Sequence, residues 1–137
     1  MVMSMDIDRK HIADFIELSP SIEEGRRKTL LKNKVMWLKE HILDETTPIQ
    51  WIQDFLKAVT GSSYLHGDST IEVEAVQFNK NSYCTSHTCI NQLDVSPEHN
   101  DLPGVSDDEL VLMDPKTIFI QNLSDGLVAH SNHMTLA

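Results

Sequence analysis

Four residues within sixteen positions, Cys84, His87, Cys89 and His99, carry side chains that can bind a metal or act as nucleophile and base. Structural zinc sites commonly place two ligands close together and a second close pair further on. Here four residues separate Cys84 from Cys89 and no second pair follows. The spacing therefore predicts no metal site, and no cofactor is expected. A Cys84–Cys89 disulfide is feasible in geometry but disfavoured wherever thiols are kept reduced. Cys89 is the better candidate for chemistry, because it follows a polar loop and opens a predicted strand. A thiol there can be exposed while its backbone is firmly held. His87, two residues earlier, can lower the thiol pKa or orient a reacting group, since the thiolate is the nucleophile.

Spacing alone does not decide between this reading and a plainer one. A cysteine at a strand edge is also a small half-buried hydrophobe, the commoner fate of the residue. A cysteine hydrolase using Cys89 with His87 or His99 is a further alternative. His87 is an awkward base for it, because strand alternation puts residues 87 and 89 on the same side without direct hydrogen-bond contact.

The elements that must position these residues follow from periodicity. Ile12, Phe15, Ile16 and Leu18 predict a short helix ended by Pro20. Ser21 and Glu24 have capping-box spacing, and Leu31, Val35, Leu38 and Ile42 share one helical face. Together they predict a helix over about 22–43, weakened near Gly25. Thr47 as cap and Pro48 as first residue open another, with Ile49, Ile52, Phe55, Leu56 and Val59 as its apolar face and Gly61 as its stop. Ile71 to Ala75 alternates strictly and predicts a half-buried strand, with a bulge or strand end near Val76 and Phe78. Residues 79–86 read as loop and 88–95 as a second strand. Ser106 with Glu109, and Asp114 before Pro115, repeat the helix-start signals. Phe119, Leu123 and Leu127 then line a last helix, weakened at Gly126. The order predicts an α+β (mixed α/β) domain. No repeat period is present, which excludes a helical-repeat scaffold.

Composition narrows the function classes. With 21 acidic against 11 basic residues among 137, the chain carries a net charge of −10. A nucleic-acid partner needs a basic face, and so does an anionic membrane surface. Neither partner is expected. No apolar run reaches the length of a spanning helix, and the first residues lack the pattern of a signal peptide. Two cysteines without an export signal suit a reducing compartment. A cytoplasmic or nuclear location is expected, for an enzyme or a protein-binding module.

Two segments narrow the choice further. The run Phe55-Leu56-Lys57-Ala58-Val59-Thr60-Gly61-Ser62-Ser63 resembles the segment that opens the C-terminal lobe of HECT ubiquitin ligases. The run Ser86-His87-Thr88-Cys89-Ile90-Asn91-Gln92-Leu93-Asp94-Val95 is similar to the active-site segment of the same family. Either alone would be weak; together, at about the right separation, they are fairly specific. The resemblance covers roughly 50–137.

The resemblance implies a small sheet packed with helices over 48–137, with 1–47 as a helical extension in front. It implies that Cys89 is the catalytic cysteine, accepting ubiquitin from a ubiquitin-conjugating enzyme as a thioester and passing it to a lysine of a protein substrate. His87 and Thr88 would shape the site, while Asn91, Leu93 and Asp94 would hold the strand that follows. The family often carries a phenylalanine fourth from the end that aligns the lobe for transfer; Met134 holds that place here. Asp94, Glu98 and Asp101 are near enough in sequence to assist lysine deprotonation, though a solvated surface carboxylate is the commoner fate of such residues. The family's larger N-terminal lobe has no room in this chain. A catalytic lobe alone would be a poor ligase, and a non-catalytic interaction module of HECT-like fold is the alternative reading.

Overall fold

The computed structural model describes residues 8–65, 69–75, 84–87, 90–97 and 106–130; within 84–87 it describes the side chain of Ser86 only, and at 130 the backbone only. Among the described residues five helices and four strands follow one another. They are α1 (Arg9–Asp14), β1 (Ile16–Leu18), α2 (Arg26–Leu43), α3 (Ile49–Thr60), β2 (Ile71–Ala75), β3 (Cys84–His87), β4 (Gln92–Val95), α4 (Asp107–Leu110) and α5 (Pro115–Gly126), with a last 3-10 turn at Val128–His130. The fold is α+β, as the sequence predicts.

The strands form one sheet in the order β1-β2-β4-β3. β1 pairs with β2 and β2 with β4 in parallel, and β3 closes the sheet antiparallel to β4. The register puts Ile16 beside Ile71, Leu18 beside Val73, Val73 beside Leu93 and Ala75 beside Val95. One face is therefore apolar. It meets Leu31, Leu38 and Ile42 of α2, Ile52, Phe55 and Leu56 of α3, and Phe119 and Leu123 of α5 in a single core cluster. The other face carries Glu17, Glu72, Glu74 and Asp94 at matched positions. Residues from both sides of position 47 contribute to the one cluster. Among the described residues no helix is long and apolar enough to cross a membrane.

The predicted first helix divides. α1 stops at Asp14, and Ile16 to Leu18 becomes a parallel strand held by Ile71 N–H donating to Phe15 O (2.8 Å) and Ser19 N–H donating to Val73 O (2.9 Å). Three residues are too few for a period to show, so only the partner strand reveals them. The N-terminal segment is thus helical with one strand, rather than helices alone.

α2 begins at Arg26 and not near 22, because Gly25 sits at φ 144° and serves as its N-cap. Ser21 does not cap; its hydroxyl lies 2.8 Å from Ser19 Oγ and 3.1 Å from Glu74 Oε2. Glu24 instead takes an ion pair from Lys28 at 2.6 Å. Thr47 also turns backward. It is buried and donates to His41 O at 2.7 Å, closing the end of α2 and leaving Pro48 as the N-cap of α3.

The remaining helix signals match their elements. Gly61 ends α3 in the left-handed region at φ 84°. Ser106 accepts from Glu109 N–H, and Asp114 accepts from the Lys116 and Thr117 N–H groups. Phe119, Leu123 and Leu127 are buried.

Candidate active site

The motif segments meet at the β3–β4 hairpin. His87 ends β3 opposite Gln92, and Cys84 begins it opposite Val95. The strand predicted over 88–95 is accordingly shorter, 92–95, and the predicted loop supplies a strand of its own at 84–87. Asn91 explains the break. It lies at φ 51°, a left-handed conformation that asparagine adopts more readily than most residues. Its carbonyl accepts from Glu72 N–H at 3.1 Å, which starts the parallel pairing of β2 with β4.

Cys89 and Thr88 lie outside the described residues, as do Met134, His99, Glu98 and Asp101. The chain on either side of Cys89 is fixed, by the His87–Gln92 pair before it and by Asn91 after it. Among the described residues no three His, Cys, Asp or Glu side chains gather as a metal site.

β3 is tied to α3 by one side-chain bond. The Ser86 hydroxyl donates to Ala58 O at 2.6 Å. Ala58 lies in the last turn of α3, where carbonyls have no partner within the helix. Gly61 N–H takes the Lys57 carbonyl, and the Thr60 hydroxyl donates to Leu56 O at 2.8 Å. The Val-Thr-Gly segment is thus a helix terminus, and Ser86 caps its Ala58 carbonyl.

Asp94 departs from the solvated reading. It is 6% exposed and accepts from Gln92 Nε2 at 2.6 Å. At the far end of β4, the buried Lys34 donates from Nζ to Ser96 O at 2.8 Å and lies 5.7 Å from the Phe119 ring centre. No spacing signal marks Lys34, which falls beside Val35 and Leu38 on the buried face of α2. Phe119 is core, as its stripe predicts.

Neither protein-family models nor curated proteins return a match to this chain.

Proposed function

We propose that this chain is the catalytic lobe of a HECT-type ubiquitin-protein ligase, with Cys89 as the residue that carries ubiquitin. The bond from Ser86 to Ala58 supports the reading best, because it joins the two segments whose wording resembles that family. The hairpin is held at Ser86, paired at His87 and left-handed at Asn91, and these positions flank Cys89 in the sequence.

The Cys89 thiolate attacks the carbonyl carbon by which ubiquitin is held on the conjugating enzyme. The new C–S bond forms as the old one breaks, and the conjugating enzyme leaves as its thiolate. Exchange between thiols is close to balance, so positioning matters more than a strong base. A neutral substrate lysine amine then attacks the same carbonyl; a C–N bond forms, the C–S bond breaks, the nitrogen gives its extra proton to water, and Cys89 leaves as its thiolate. His87 and Thr88 shape the site, and Met134 takes the place of the tail phenylalanine. The net charge of −10 suits basic patches on ubiquitin and its conjugating enzymes, and raises encounter rates. A cytoplasmic or nuclear location belongs to this reading.

The test uses wild type and Cys89→Ala with ubiquitin-charged conjugating enzymes on non-reducing gels. A reductant-sensitive ubiquitin adduct is expected on wild type alone. An adduct that persists in Cys89→Ala overturns the assignment and points to Cys84. A ubiquitin probe with an electrophilic C-terminus removes the need for a larger partner lobe. Failure of wild type to react with it rejects the reading in favour of a non-catalytic interaction module.

A further inference from the structure

The sequence holds two serines followed at the third position by glutamate and rich in acid between: Ser21-Ile22-Glu23-Glu24 and Ser106-Asp107-Asp108-Glu109. As sequences both fit a protein kinase whose substrate groove is lined by lysine and arginine. The fold separates them. Ser19 and Ser21 are fastened to the sheet: Ser19 N–H donates to Val73 O (2.9 Å), Ile22 N–H donates to Ser19 O (3.3 Å), and the Ser21 hydroxyl is engaged by Ser19 and by the Glu74 carboxylate. Ile22 packs against the core. To enter a kinase groove this segment would have to leave β2, and a phosphate at Ser21 would face Glu74.

Among the described residues Ser106 has neither restraint. It is exposed, with an extended backbone (φ −70°, ψ 157°), and it caps a four-residue helix that buries no side chain. Opening one unburied turn costs little compared with breaking a sheet. Among the described residues its side chain accepts only from Glu109 N–H, at 3.3 Å. Asp107, Asp108 and Glu109 are all exposed, so a basic groove can meet three carboxylates at once.

We propose that Ser106 is a phosphorylation site for an acid-directed serine/threonine kinase, and that Ser21 is protected by the fold. The Ser106 Oγ attacks the γ-phosphorus of ATP. The new P–O bond forms as the bond to the β-bridging oxygen breaks, ADP leaves, and the hydroxyl proton passes to the kinase's base. The product adds a charge of about −1.5 to −2 to an already acidic turn. This inference does not depend on the ligase reading.

The experiment incubates the folded chain with ATP and an acid-directed kinase of the casein-kinase type, and maps phosphate by mass spectrometry. One phosphate is expected, on Ser106. Ser106→Ala should abolish it and Ser21→Ala should leave it unchanged. Replacing Asp107, Asp108 and Glu109 by Asn, Asn and Gln should slow it about tenfold or more, the loss of roughly one charge-assisted contact. The chain unfolded in urea and then diluted briefly into the assay should take phosphate at Ser21 as well. Because α4 buries nothing, all these variants should keep the wild-type circular dichroism. Phosphate on Ser21 in the folded chain, none on Ser106, or a rate indifferent to the three carboxylates would each overturn the proposal.

Discussion

The Ser86 hydroxyl and the Ala58 carbonyl, 28 positions apart in the chain, share a 2.6 Å hydrogen bond that fastens β3 to the last turn of α3. Ala58 is fully buried, so water does not replace the serine if it is removed. Ser86→Ala should cost about 1–3 kcal/mol of stability, the desolvation penalty of an unsatisfied buried carbonyl. Urea unfolding measures the loss. If the hairpin mounts the reactive thiol, the variant should also form the Cys89 adduct more slowly under conditions where it remains folded.

His41 makes stability depend on pH. Its ring meets Trp51 edge-on at 4.4 Å, and its Nδ1 lies 3.4 Å from Thr47 Oγ1. The Thr47 hydroxyl proton goes to His41 O. Nε2 is buried and has no hydrogen-bond partner among the described residues. Burial holds the His41 pKa below the ordinary 6.5, opposed by Asp44 and reinforced by Lys116 and Arg9. Well above 6.5 the imidazole is neutral in both states and the stabilisation is complete. As pH falls through that value the unfolded chain takes the proton first, and stability declines. His41→Phe keeps an aromatic ring against Trp51 and should flatten the loss of stability just below pH 6.5. Thermal unfolding over a pH series reads this. The lowered carboxylates Glu24, Asp44 and Asp114 act in a separate, more acidic window.

Two glycines should respond in opposite senses to alanine. Gly61 stops α3 at φ 84°, where a Cβ is strained, so Gly61→Ala should lose about 1 kcal/mol. Gly126 lies in the last turn of α5 with open space where a Cβ would sit. Gly126→Ala should gain about 0.4–1 kcal/mol by restricting the unfolded chain. Equal effects at the two positions would contradict the backbone assignments.

Arg9 closes the corner between α2 and α3. Its guanidinium donates to Ile42 O (3.0 Å), Asp44 O (2.8 Å) and Thr47 O (2.7 Å). Arg9→Ala should destabilise by about 1.5–3 kcal/mol, the scale of hydrogen bonds made by a charged group. Arg9→Lys should recover only part of this, because an ammonium lacks the planar fork that reaches separate carbonyls together. Denaturant midpoints of the three proteins compare them directly.

Local chemistry determined much of this protein before any contact was known. The apolar stripes of α2, α3 and α5, the strict alternation of Ile71 to Ala75, the stop at Gly61 and the caps at Ser106 and Asp114 rest on interactions within a few residues, so they are legible in a linear chain. So is the wording around Cys89. The tertiary structure decided what depends on distant partners. Ile16 to Leu18 became strand because β2 lay beside it. Ser21 and Thr47 gave up capping because Glu74 and the end of α2 offered their hydroxyls other partners. Asp94 and Lys34 were buried because the hydrogen bonds from Gln92 and to Ser96 offset the cost of leaving water. A sequence displays spacing, and spacing governs helix faces and turns. Which side chain satisfies which orphaned carbonyl, as Ser86 does for Ala58, is settled only when the elements are brought together.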